Sequence, residues 1–164
     1  MKVSFKKDKE VKRYNDRVTV VTLQGELKLK REFMNNLPSP VFLWLNKLSN
    51  PEVTLSYSTS SLIIISEGKT IRAKEDTDDI VIAERIAESR AKIKLYRFMM
   101  KFICNIISYY NTLLYGGNEV TNDNDKEVNS KESHFSTSLD AMWDKYTLLK
   151  IKEEKHLKEL LEKA

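Results

Sequence analysis

Across residues 78–115 the apolar positions recur alternately every four and every three residues, along Ile82, Ile86, Ser89, Ile93, Tyr96, Met100, Ile103, Ile107, Tyr110 and Leu114. That spacing lays one stripe down a helix and fixes it against a partner, so one long helix is predicted over 78–115. Glu75, Asp76, Asp78 and Asp79 gather at its start, where the positive end of the helix dipole favours them, and Gly116-Gly117 stops it. Ahead of the helix the period drops to two. Residues 17–23 are rich in β-branched side chains, Gln24-Gly25 reads as a turn, and residues 26–33 alternate Leu27 and Leu29 with Lys28 and Lys30. Together they predict a hairpin with one wet face. Residues 53–58, 61–66 and 69–74 then read as an antiparallel meander turned at Thr59-Ser60 and Glu67-Gly68. Between the two sets, Ser39 as N-cap and Pro40 at the first helical position open a short helix, with Phe42, Leu45 and Leu48 spaced by three.

The pattern changes after the long helix. Residues 117–136 hold only Val120, Val128 and Phe135 as sizeable apolar residues among Asn, Asp, Glu, Ser and Lys, a composition that cannot bury enough surface to order itself. Thr137 and Asp140 then resemble a capping box. They predict a last amphipathic helix over 137–164, with Leu139, Met142, Trp143, Tyr146 and Leu149 in its first half and only Leu157, Leu160 and Leu161 to bury in its charged second half. The expected architecture is therefore α+β. An antiparallel sheet of four or five strands packs on the heptad seam within residues 1–116, followed by a flexible polar linker over 117–136 and the C-terminal helix.

At 164 residues the chain can build one core, and 41% hydrophobic with 32% charged residues place it among globular, water-soluble sequences. The single cysteine, Cys104, has apolar neighbours and reads as a small buried residue, with no intrachain disulfide open to it. No apolar run follows the charged residues at the start, so no secretory leader is expected and a reducing interior is. The stretch 98–115 carries Lys101, Asn105, Ser108 and Asn111, too polar for a membrane span.

Candidate chemistry is sparse. His134 and His156 stand apart from each other and from Cys104, and the run Asn122 to Asp125 lacks both the Gly and the closing Glu of a calcium loop. No phosphate-binding glycine loop, nucleophile elbow or zinc motif occurs. Serines between 56 and 66 suit the wet face of a sheet, and Asp76, Asp78 and Asp79 would need to converge in a pocket to act as acids or bases. No metal, cofactor, small-molecule substrate or catalytic residue is expected, and the chain reads as a non-enzyme.

What remains is surface. Phe98, Met99, Phe102, Ile106, Tyr109 and Leu113 form a second apolar side beyond the seam residue Tyr110, so two sides of the helix's C-terminal half require burial. The cover is either the C-terminal helix folding back or a partner. On the partner reading the contact residues are Phe98, Met99, Phe102, Ile106, Tyr109, Tyr110, Leu113, Trp143 and Tyr146, and the partner is another protein or a second copy meeting the long helix. Residues 1–74 carry fourteen Lys or Arg against seven Asp or Glu. This favours an alternative in which nucleic acid is bound by Lys6, Lys7, Lys9, Lys12, Arg13, Lys28, Lys30 and Arg31 with Tyr14 and Phe33 nearby. Acids at Asp8, Glu10, Asp16, Glu26 and Glu32 interrupt those basic runs. A further stripe, Arg90, Arg97 and Lys101 with Lys94 beside it, flanks the seam.

The stretch Glu67 to Met100, EGKTIRAKEDTDDIVIAERIAESRAKIKLYRFM, resembles the end of small phage-encoded proteins with a double-stranded-RNA-binding-domain-like fold. Gly68, Asp76, Asp79, Arg85, Ala87, Arg90, Ala91 and Lys94 fall on their pattern of glycine turn, last strand, acids and basic helix, whereas Ala83 stands where a Gly is usual. The resemblance covers about a fifth of the chain. It implies a few antiparallel strands against one helix, a phage or mobile-element origin and a non-enzymatic role, in a host cytoplasm or a virion. It does not imply RNA binding, because the acidic start of the helix would repel the phosphates that such domains grip with lysines there. The expected function is a phage-type interaction protein, either an inhibitor of a host defence complex or a virion-associated component.

Overall fold

In the computed structural model, residues 8–14, 17–72, 80–115 and 125–163 are described, with side chains at all of these except 8, 33 and 109–139. Strands β1 (Asp8–Tyr14) and β2 (Val18–Lys28) are followed by helices α1 (Arg31–Asn35) and α2 (Ser39–Lys47). Then come β3 (Glu52–Ser56), β4 (Ser61–Ile71), α3 (Ile80–Tyr115) and α4 (Asp125–Lys163). The four strands form one antiparallel sheet in the order β1-β2-β4-β3. The fold is α+β, as the two periodicities predict.

Two predicted turns are not turns. β2 runs unbroken through Gln24-Gly25, and Gly25 pairs with Ile64 of β4. Its inward positions are Val21, Leu23, Gly25 and Leu27, so the alternation of faces passes through the glycine without a change of phase. The chain leaves the sheet at Lys28, and α1 replaces the end of the predicted strand over 26–33. β4 likewise continues through Glu67-Gly68. A Cβ at Gly68 would overlap the carbonyl oxygen of Ala87 and lie 2.6 Å from the backbone nitrogen of Ala91. The glycine is there to let α3 approach. The Thr59-Ser60 turn does form, with Ser60 at φ 50° in the left-handed region. The charged residues 8–14, outside the predicted hairpin, are an edge strand that pairs with β2 from Asp8 opposite Gln24 to Tyr14 opposite Val18.

α3 begins at Ile80; its predicted acidic start and the stop at Gly116-Gly117 lie outside the described residues. The helix is buried on two sides. Towards the sheet, Ser66, Gly68 and Thr70 of β4 meet Ala91, Ala87 and Ala83: Ser66 Oγ donates to the Ala91 carbonyl at 2.7 Å and Thr70 Oγ1 to the Ala83 carbonyl at 2.9 Å. The heptad seam faces elsewhere. Ser89 Oγ donates to the Glu153 carbonyl of α4 at 3.4 Å, and the Tyr96 and Tyr146 rings lie 6.3 Å apart. The seam therefore packs on α4 and not, as predicted, on the sheet. The reason is geometric: a 3.5-residue repeat is the mark of helix against helix, whereas close approach to a sheet needs small side chains.

α2 starts one residue early, with Pro38 as N-cap, and buries Val41 and Leu45 at i, i+4 rather than the predicted Phe42, Leu45 and Leu48 row; Phe42 is exposed. Its Trp44 stacks on Phe98 at 5.6 Å, and Lys101 Nζ sits 5.7 Å from the Trp44 ring centre. α4 begins at Asp125, before the predicted capping box at Thr137. Once its packed half forms, each further helical residue adds a hydrogen bond without a new nucleation step.

Candidate functional site

The residues expected to meet a partner are largely occupied by the chain itself. Phe98, Met99, Phe102, Ile106 and Tyr146 belong to the central core cluster, the last at 1% exposure, and Trp143 is half-buried against it. Over Phe98 to Ile106 the sheet and α2 cover one side of α3, and α4 covers the other. Tyr109, Tyr110 and Leu113 lie outside the described side chains. Burial pushes the Tyr146 phenol well above its usual range, with Tyr96 adding to it; Tyr96 is raised by its own burial and then by the charge of Glu153. Cys104, expected inside, is exposed on the stripe it shares with Lys101 and Ser108, between the two packed sides of α3.

The basic residues of the front half are dispersed. Lys9 Nζ pairs with Glu84 at 2.7 Å and Glu88 at 3.0 Å of α3, and Lys12 Nζ with Glu10 at 3.3 Å. The hydrogen bonds that Lys9 donates to Glu84 and then Glu88 raise it above its ordinary pKa, and the one that Lys12 donates to Glu10 raises Lys12. On Glu88, burial acts upwards but is outweighed by the hydrogen bond from Lys9 and the charges of Lys92 and Lys9, so its carboxyl falls below the ordinary value. Lys28, Lys30 and Arg31 are exposed where β2 leads into α1, and Arg13 is half-buried on β1. Lys6 and Lys7 lie outside the described residues, as do Asp76, Asp78 and Asp79. Among the described residues no three His, Cys, Asp or Glu side chains converge as a metal site would require, and His156 is exposed on α4. No helix among them is long and apolar enough to cross a membrane.

The structure gathers charge somewhere else. β3 pairs with β4 only over Ser61 to Ile65, which leaves the rest of β4 with an open edge. Open edges recruit other strands unless they are blocked, and here side chains block it. Arg90 Nη1 donates to the Lys69 carbonyl at 2.7 Å, and Lys94 Nζ to the Glu67 carbonyl at 2.9 Å. Asn50, just before the cis Asn50-Pro51 bond, accepts the Glu67 N–H at 3.2 Å and donates to its carbonyl at 3.4 Å. Beyond that edge, between α3 and α4, lies a groove of about 490 Å³. Its wall carries Lys69, Arg90, Lys94, Arg97 and Lys158 against one acid, Glu154, and its floor is Ile93, Leu157 and Leu161.

Glu154 is already engaged, at 3.4 Å from Arg97 and 3.5 Å from Lys150, while Lys69 and Lys158 have no acid within reach among the described residues. The groove can neutralise several negative charges and cover an apolar side chain at once. Part of it was legible: Arg90, Lys94 and Arg97 are the stripe seen flanking the seam. Lys69, Leu157, Lys158 and Leu161 were missed as site residues, because only the packing of α4 along α3 brings them there. Comparison with family models, curated proteins and solved structures found no match to the chain.

Proposed function

We propose that the chain is a small, non-enzymatic interaction protein, of phage type as the resemblance of residues 67–100 implies, and that its groove between α3, α4 and the β4 edge binds an acidic segment of another protein. The observation that carries this reading is the set of five cations facing one acid over an aliphatic floor. Charge complementarity selects an acidic partner and steers its approach. The floor selects the class: strands of nucleic acid stack their bases on aromatic platforms, whereas Ile93, Leu157 and Leu161 suit a leucine-like anchor. Leu161 is 46% exposed, an apolar group left for a partner to cover.

The test is fluorescence anisotropy with a labelled peptide of alternating glutamate and leucine, beside a glutamate–serine control and a single-stranded oligonucleotide of equal charge. The leucine peptide should bind best. Lys158→Glu should weaken it about tenfold, a change of roughly 1.4 kcal/mol, and Leu161→Ser should reduce it to the level of the control. Equal binding of both peptides would remove the anchor from the proposal. Tighter binding of the oligonucleotide, lost in Lys158→Glu, would put nucleic acid in the groove instead.

A further inference from the structure

One face of the sheet packs on α3, and no described element lies over the other. Its pattern can be read row by row from the strand register. Lys12, Val20 and Lys69 stand in one row across β1, β2 and β4; the next row along is Glu10, Thr22 and Glu67. A cationic row thus lies beside an acidic one. Outside them on β4 are Ile71 on the cationic side, 66% exposed, and Ile65 on the acidic side.

From this register we infer that the open face pairs with the same face of a second copy about a two-fold axis. The axis lies parallel to the sheet, across the strands, between the lysine row and the glutamate row. Such an operation reverses position along each strand and keeps the order of strands. It therefore sets Lys12 over Glu10 and Lys69 over Glu67 of the second copy, with Ile71 over Ile65. A two-fold interface must be self-complementary, and the lysine and glutamate rows flanking the axis are so in charge. Aligned sheets pack about 10 Å apart and rotated by about 30°, so the two rows flanking the axis keep their partners while the corners splay.

Lys69 belongs to both surfaces, but Glu10 and Lys12 lie on β1 and do not line the groove, so a test made on those two lets this inference and the proposed function fail separately. The test is sedimentation equilibrium on the full chain and on Glu10→Lys and Lys12→Glu, with circular dichroism to show that each variant is folded. Wild type should be a dimer. Each variant should be a monomer, because like charges then face each other across the axis. An equimolar mixture of the two folded variants should regain a dimer containing one of each, since lysines then face glutamates throughout. A monomeric wild type, variants that remain dimers, or a mixture that stays monomeric would each overturn the inference.

Discussion

At Gly68 a single hydrogen atom in place of a side chain sets the distance between α3 and the sheet. Gly68→Ala would drive a methyl group into the backbone of Ala87 and Ala91, neither of which can rotate away. Overpacking against backbone costs about 3 kcal/mol, and urea denaturation should show a loss of that size with the slope unchanged. A loss below about 0.5 kcal/mol, the ordinary surface level, would mean that the helix does not approach so closely. The glycine's identity was plain in the sequence but its purpose was not: Glu67-Gly68 reads as a turn because glycine serves turns and close contacts alike, and only the neighbour distinguishes the two. Cys104 teaches the same lesson, since apolar neighbours in sequence do not share its side of the helix.

Between elements, the link most open to experiment is Lys9, which ties the edge strand β1 to Glu84 and Glu88 of α3. These groups are partly exposed, so Lys9→Ala should cost no more than about 1 kcal/mol at neutral pH. Its pH dependence is more specific. Glu88 is held below its ordinary value of 4.5, so its contribution is present above pH 4.5 and is lost as pH falls through the lower, folded value. Lys9, raised above 10.5, contributes below pH 10.5 and loses that contribution as pH rises through its folded value. Denaturation midpoints measured against pH should therefore show an acid limb that is shallower in Lys9→Ala; an unchanged limb would remove the tether. Both ends of this link stood in the sequence, but a lysine in β1 and a glutamate in α3 become neighbours only when β1 lies at the sheet edge beside that helix.

For the molecule as a whole, α4 is the second wall of the core. It covers Tyr96 and Ser89 and supplies Tyr146 to the cluster around Phe102 and Ile103. A chain ended at residue 116 should consequently lack a cooperative thermal transition and bind a hydrophobic dye, as expected when a large apolar side of a helix is uncovered. A sharp melt from that fragment would show that residues 1–116 stand alone. By itself the sequence determined the α+β class, the long helix, the strand-rich front half and the absence of familiar catalytic motifs, because periodicity and turn chemistry are local properties. The tertiary structure decided which side of α3 meets the sheet and which meets α4, that Phe98, Met99, Phe102 and Ile106 are covered within the chain, and that cations from β4, α3 and α4 share one groove. Those facts depend on contacts between residues far apart in sequence, and a helix with two apolar sides does not state which neighbour each will receive.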